Sequence, residues 1–214
     1  MADYYPAFLD LRGRQCLVVG GGPVAWRKAQ ALLQAGAQVR VIAPRLCPGL
    51  KRLAQAEQLK VEARPYQVGD LEGAWLAIAA TDDRELNGAV ASEAEARGLL
   101  INVVDDPARC NFIAPSVVRR GDLTLAISTG GRSPALALKL RQALEALLPQ
   151  EYGPLLALLA QARQEARRQG KRISPRKWQE SISPQVMSLM KDGSEAEARD
   201  VLLAGLGLRG GGRS

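Results

Sequence analysis

Through its first hundred residues the chain swings between two hydrophobic periods. Gln15-Cys16-Leu17-Val18-Val19 is a short apolar run rich in β-formers. Ala25, Ala29, Leu32 and Leu33 then recur at spacings of three and four, which predicts a helix over residues 24–34, ended by Gly36. Gln38-Val39-Arg40-Val41-Ile42 reads as a second strand, stopped by Ala43-Pro44. Residues 48–57, with Leu50, Leu53 and Ala54, read as a helix, and residues 59–64 alternate Leu59, Val61 and Ala63 as a third strand. Residues 73–80 are apolar throughout, as a strand covered on both faces should be. A helix is expected from Asp82 or Asp83 to Arg97, with Asp83 or Thr81 as its cap, and a fifth strand over residues 99–104. Residues 4–11 read as a lead-in packed against the sheet. Strands alternating with helices predict an α/β fold, a mostly parallel, right-handed open sheet of Rossmann type.

Beyond residue 114 the rhythm changes. Two β-runs flank Arg120-Gly121-Asp122, which predicts a hairpin. Ser133 as N-cap and Pro134 at the first helical position open a helix to about Leu148. From Tyr152 onward the chain reads as helix. Leu155, Leu156, Leu159 and Ala162 are expected on one face and Arg163, Arg167, Arg168, Lys171 and Arg172 on a basic one, with a last helix over residues 194–203. The expected division is therefore a nucleotide-binding domain over residues 1–114, a β-α segment over 115–150, a helical domain over 151–208 and a disordered tail over 209–214. The β-α segment is too short for its own core, and a hairpin with open edges invites pairing with a second copy.

Composition narrows the chemistry. At 214 residues and 47% hydrophobic, the chain can bury a sizeable core, and no run approaches the ~18 apolar residues of a membrane span. The first residues lack the basic-then-apolar order of a signal peptide. Three widely spaced cysteines (Cys16, Cys47, Cys110) fit a reducing cytoplasm rather than a disulfide framework. With no histidine, a zinc-type metal site or a histidine-activated nucleophile is not expected. The net charge of +7 is uneven: residues 1–114 hold 13 basic and 13 acidic side chains, and residues 115–214 hold 16 and 9. A basic second half suits an anionic ligand or, equally, a solvated helix surface.

Gly20-Gly21-Gly22-Pro23-Val24-Ala25 stands between a strand and a helix, the context in which G-x-G-x-x-A binds a dinucleotide. Gly20 allows the tight turn, Gly22 lets a pyrophosphate approach, and Pro23 and Val24 open a helix whose positive end favours an anion. Thr81-Asp82-Asp83 and Asp105-Asp106 close two more strands on the edge where open sheets bind ligands. The acid that holds NAD ribose hydroxyls in many such folds is missing: the second strand ends Ile42-Ala43-Pro44-Arg45, and Arg45 would equally suit a 2′-phosphate. By residue type alone, Asp105-Asp106-Pro107 is also a good turn.

Four motifs occur in one order: Gly20 to Ala25 with Arg27-Lys28; Ala79-Ala80-Thr81-Asp82-Asp83 with Asn87; Asn102-Val103-Val104-Asp105 with Phe112-Ile113-Ala114-Pro115-Ser116; and Ser128-Thr129-Gly130-Gly131-Arg132-Ser133-Pro134. On these the chain resembles the precorrin-2 dehydrogenase / sirohydrochlorin ferrochelatase family, which includes the N-terminal module of bifunctional siroheme synthases. The resemblance covers about residues 5–200. It implies a Rossmann domain, a small dimerisation segment making a homodimer, and a C-terminal helical domain. It implies NAD as acceptor, precorrin-2 as tetrapyrrole substrate, sirohydrochlorin as product and, in some members, Fe²⁺ as a second substrate; no methyltransferase module is expected. Cofactor contacts are expected at Gly20, Gly22, Pro23, Val24, Ala43, Pro44, Arg45, Thr81 and Asp82. The family's essential aspartate falls on Asp105, expected to be the base. Asp106, Arg119, Arg120, Ser128, Thr129, Gly130 and Arg132 are expected to hold the substrate, with Arg109 and Lys139 as further candidates. Some relatives carry a phosphorylatable serine where Thr129 stands.

A rival reading is a non-catalytic NAD(H)-sensing module with a basic, nucleic-acid-binding helical end. The basic residues are not interleaved with aromatics, Trp178 apart, and no helix-turn-helix is evident. Neither a nucleic acid nor a membrane is expected as a partner.

Overall fold

The structure, a computed structural model, describes residues 4–209. The chain divides into two compact units, residues 4–114 with Gly130–Arg132, and Pro115–Thr129 with residues 133–209.

In the first unit β1 (Gln15–Val19), β2 (Gln38–Ile42), β3 (Lys60–Glu62), β4 (Leu76–Ala79) and β5 (Leu100–Val103) form one parallel sheet in the order β3-β2-β1-β4-β5. The helices α1 (Pro23–Gln34), α2 (Pro48–Gln55) and α3 (Arg84–Ala96) follow β1, β2 and β4, and β3 leads to β4 without a helix. Strand alternation sends side chains to two separate cores. Cys16, Val18, Val39, Val41, Leu76 and Ile78 meet Ala25, Ala29 and Leu32 of α1 and Leu50 of α2. Leu17, Val19, Ile42, Ala77, Ala79, Ile101 and Val103 meet Val90, Ala91 and Ala94 of α3. Each fully buried Leu, Val or Ile contributes about 1.5–3 kcal/mol relative to exposure. α1 closes as expected at Gly36 (φ 79°): Gly36 N–H donates to Leu33 O and Ala37 N–H to Leu32 O.

Three expectations change. Residues 4–10 do not pack on the sheet; they are exposed, and only Leu11 of the lead-in is buried. The fourth strand begins at Leu76 because Ala74 N–H turns back to Leu71 O and Gly73 takes φ 73°. The third strand contracts to three residues. It is an edge strand, and a network replaces further ladder: Glu62 pairs with Arg40 and Arg64, and Arg64 also binds Asp70 at 2.7 Å.

In the second unit β6 (Ser116–Arg120) and β7 (Leu123–Ile127) pair antiparallel across a two-residue turn, with Gly121 at φ 56°. Then come α4 (Pro134–Leu147), α5 (Tyr152–Arg168), α6 (Pro175–Ser181), α7 (Pro184–Lys191) and α8 (Glu195–Leu206). Ser133, Ser174 and Ser183 cap α4, α6 and α7 with their hydroxyls. The core gathers Leu155, Leu158, Ala162 and Ala166 of α5, Val186 and Met190 of α7, and Ala198, Leu202, Leu203 and Leu206 of α8. The buried face of α5 thus runs through Leu158 and Ala166 rather than Leu156, since positions 155, 158, 162 and 166 follow the 3.6-residue period more closely. The basic face is exposed as expected, and Arg163 lies over the Trp178 ring at 5.5 Å. Apart from Arg209, the tail over 209–214 lies outside the described residues.

Candidate active site

Strand order reverses direction between β1 and β4: β2 and β3 lie on one side of β1, and β4 and β5 on the other. A crevice opens at the carboxyl ends of neighbouring strands at such a point. Gly20 (φ 130°) and Thr81 follow those two ends. A Cβ on Gly20 would stand 2.2 Å from Ala80 O, so only glycine lets the two strand ends touch. Gly21 is just as constrained. A Cβ there would lie 1.8 Å from Arg45 O, and Cys47 N–H donates to Gly21 O at 2.8 Å. The motif string assigns Gly21 no task; its need comes from the β2 turn folding back over it. Around Gly22 a Cβ would meet nothing within 4 Å. Gly22 is also the N-cap of α1, which has no side-chain cap and no acid in its first turn. Open space at Gly22 and an uncapped, uncompensated helix end suit a pyrophosphate.

The other expected cofactor residues ring this turn. Pro23 and Val24 form the first turn of α1. Ala43 is buried, and Pro44 and Arg45 are exposed beyond β2. Thr81 is held by buried Asn87: its hydroxyl donates to Asn87 Oδ1 at 2.7 Å, and Asn87 Nδ2 donates to Thr81 O at 2.9 Å. Asp82 is exposed, and Asp83 caps α3 by accepting from Glu85 and Leu86 N–H.

Asp105 follows β5 in a tight turn, Asp106 N–H donating to Val103 O at 3.3 Å. It takes φ 60°, a backbone state that non-glycine residues seldom adopt, and its side chain is exposed. Asp106 is half-buried and pairs with Arg109 at 3.5 Å. The turn is held from below by Cys110. Its Sγ accepts from Val103 N–H at 3.1 Å and lies 3.3 Å from both Val103 O and Asp106 O. Burial pushes the Cys110 thiol above its usual range. Asn102, buried on β5, donates to Phe112 O at 3.2 Å and accepts from Lys28 Nζ, also at 3.2 Å. Burial lowers the Lys28 pKa, while Cys110 and Asp105 pull it back upward. Lys28, Asn87 and Asn102 stand inside the motif strings, but only the fold gives them partners.

Gly130–Arg132 belongs with the first unit, where Gly131 approaches Pro107 of the turn after Asp105. Arg132 and Ser128 are exposed, as is Arg119 on β6. The Thr129 hydroxyl closes its own loop on Ser133 O and N–H. Arg120 does not meet the expectation of a substrate arginine. It is buried, and its guanidinium donates to Leu148 O, Glu145 O and Arg119 O at 2.6, 2.7 and 2.9 Å. The bonds to Glu145 O and Leu148 O satisfy the carboxyl end of α4.

Residues 7–116 match the family model described as "Putative NAD(P)-binding". The chain belongs to this NAD(P)-binding family. A second family model, "Sirohaem biosynthesis protein central", matches residues 120–147. The siroheme synthases of Photobacterium profundum and Nitrosococcus oceani are 41% and 42% identical, over 94% and 95% of this chain and 43% and 44% of their own lengths. The chain thus spans less than half the length of the curated relatives it matches. A solved structure titled "SirC, precorrin-2 dehydrogenase" superposes with a TM-score of 0.75 at 29% identity, covering 92% of this chain and 99% of that one. These matches agree with the resemblance read from the four motifs, and with the α/β class. Within the NAD(P)-binding family the glycine turn, the Asn87-held Thr81 and the open end of α1 fit a dinucleotide. No helix among the described residues is long and apolar enough to cross a membrane.

Proposed function

We propose that this protein removes two hydrogens from precorrin-2 to give sirohydrochlorin, with NAD as acceptor. The observation that carries the reading is the switch point itself: Gly20 packed against Ala80, with the Asp105 carboxylate exposed beyond the adjoining strand β5. Both similar siroheme synthases and the similar precorrin-2 dehydrogenase support it. Gly20, Gly22, Pro23 and Val24 would hold the pyrophosphate at the amino end of α1, with Thr81, Asp82, Ala43, Pro44 and Arg45 along the rest of the dinucleotide. When bound, NAD supplies the hydride acceptor. Asp105 takes the proton released with the hydride; its exposure and its fixed turn let it face a ring held above the strand ends. Arg119, Arg132, Ser128, Thr129 and Gly130 hold the substrate's carboxylates, for which Arg offers paired donors. Asp106 pairs with Arg109 at 3.5 Å, which supports Asp105 rather than Asp106 as the base.

Fe²⁺ is proposed as a second substrate. Its insertion into sirohydrochlorin releases two pyrrole protons, which Asp105 would take one at a time and pass to solvent. A second copy is proposed as partner. On α4, Leu136, Leu140 and Leu147 lie on one side of the helix and are 42–72% exposed, an apolar face that a twin would cover. The three-part division at residues 114 and 150 is proposed on the same ground. The reading places the enzyme in the cytoplasm.

Mixing protein, precorrin-2 and NAD should produce the sirohydrochlorin spectrum together with NADH absorbance, with NADP the poorer acceptor. Asp105→Asn should cut turnover by about 10²–10⁴ with NAD binding retained. Near-normal turnover in that variant sinks the assignment. No turnover by the wild type sinks the function. Sirohydrochlorin and Fe²⁺, with and without protein, test the chelatase step by rate.

A further inference from the structure

Val103, Val104, Asp105 and Asp106 make a four-residue turn, closed by Asp106 N–H donating to Val103 O at 3.3 Å. Asp105 holds its third position at φ 60°, a slot that a positive φ normally reserves for glycine or asparagine. A backbone state of this kind persists only where the surroundings over-determine it. The Asp105 side chain is exposed and gives the turn no such support. Cys110 does. Its Sγ accepts from Val103 N–H at 3.1 Å and lies 3.3 Å from both Val103 O and Asp106 O. The thiol thus spans the first and last residues of the turn, with its acceptor toward Val103 and its donor toward either carbonyl. Burial keeps it protonated, so the donor is retained. The main chain delivers it to this place. Arg109 N–H donates to Asp106 O and Cys110 N–H to Pro107 O, both at 3.2 Å, winding Pro107–Arg109 into a single 3₁₀ turn. Asn111 then ties the chain back alongside β5, accepting from Ile101 N–H at 2.8 Å and donating to Leu99 O at 2.7 Å. Between those two anchors Cys110 is extended, at φ −99°, and its sulfur is returned to the floor of the Asp105 turn.

We propose that Cys110 is a positioning residue: its sulfur, bonded across the turn from Val103 to Asp106, holds Asp105 in the positive-φ state that presents its carboxylate beyond the strand end. The consequence for turnover rests on the reading of Asp105 as the base. The hold on the turn does not, and it can be measured without substrate.

The test uses the whole chain with Cys110→Ala, which removes donor and acceptor, and Cys110→Ser, which keeps both. Hydrogen exchange of Asp106 N–H, which bonds Val103 O and not the sulfur, is followed by NMR in all three proteins. It should quicken about tenfold or more in Cys110→Ala and stay within about threefold of wild type in Cys110→Ser. In steady-state assays with precorrin-2 and NAD, kcat should fall about 10–100-fold in Cys110→Ala and recover largely in Cys110→Ser. KM for NAD should stay within about twofold in both, since the pyrophosphate turn after β1 is built without Cys110. In an Asp105→Asn background, Cys110→Ala should cost less than about twofold more, because the carboxylate it acts through is already gone. Should Cys110→Ala fail to fold, Cys110→Val replaces it, filling the space in an extended backbone that suits a β-branched side chain. Unchanged Asp106 exchange in a folded variant without the sulfur overturns the proposal, and so does an equal loss of kcat with and without the Asp105 carboxylate. Faster exchange in a protein whose wild type does not turn over precorrin-2 upholds the hold on the turn and refutes the functional reading instead.

Discussion

In the first unit β1 sends Cys16 and Val18 to one face of the sheet and Leu17 and Val19 to the other, and helices cover both. In the second, α4 runs for fourteen residues and buries one of them, Ala137, while Leu147 remains 72% exposed. A parallel sheet must cover both faces, because its crossovers lay helices on each. A hairpin with one helix has no such obligation and leaves apolar area for something else. The first unit therefore completes its own interior and offers its strand ends to a ligand. The second completes a core only around α5, α7 and α8, and offers the α4 face for association.

Several experiments would break or sharpen that contrast. The largest effect is expected from Leu202→Ala, at a fully buried position of α8, which should cost about 2–5 kcal/mol. Trp178 reports the second unit, and Trp26 and Trp75 the first. If the units are energetically separate, only the Trp178 transition should move in single-tryptophan variants; a common shift would merge them. Next, Arg120→Met should cost about 1–3 kcal/mol by leaving carbonyls at the end of α4 without their donor. It should act on urea unfolding of the second unit and leave NAD affinity alone. Leu140→Glu should weaken self-association tenfold or more, about 1.4 kcal/mol, without moving either unfolding transition. Sedimentation of the wild type as a monomer at micromolar concentration would remove the proposed interface. Gly21→Ala against Gly22→Ala separates scaffold from ligand contact within one turn. The first should lower both stability and NAD binding, and the second NAD binding alone.

The smallest effect is a pH dependence confined to the sheet unit. The hydrogen bond from Arg40 holds Glu62 below its ordinary range, and that from Arg64 does the same for Asp70. Groups lowered on folding contribute stability that is present above their unfolded values, near pH ~4, and is lost as pH falls through the folded ones. Replacing Arg64 with Met should flatten the acid side of the unit's urea-midpoint profile below about pH 5. An unchanged slope would mean that the network is too solvated to matter.

The β-run of β1, the strand β2 stopped by Ala43-Pro44, the spacing in α1 and the cap Ser133 were legible from the residues alone, and Asp83 was one of two candidates, with Thr81, for the cap of α3. Each is a local rule: period two or 3.6, or an oxygen placed before a helix. The lead-in failed because apolar content at Tyr5 and Phe8 does not say whether a surface lies there to receive it; both stay exposed. Leu158 replaced Leu156 on α5 because a run of six apolar residues, 155–160, fits more than one face until its neighbours are present.

What the residues by themselves determined is the α/β class, the glycine turn and the carboxylate after the fifth strand, since these depend on neighbours in sequence. Only the tertiary structure decided that β1 lies beside β4, which makes Gly20 indispensable through Ala80. It alone gave Gly21 its reason in the Arg45 carbonyl, turned Arg120 inward to the carbonyls of α4, and carried Lys28 across 74 residues of chain to Asn102. Contacts of that kind follow from how strands are ordered and helices are laid over them, and no local period or propensity encodes that order.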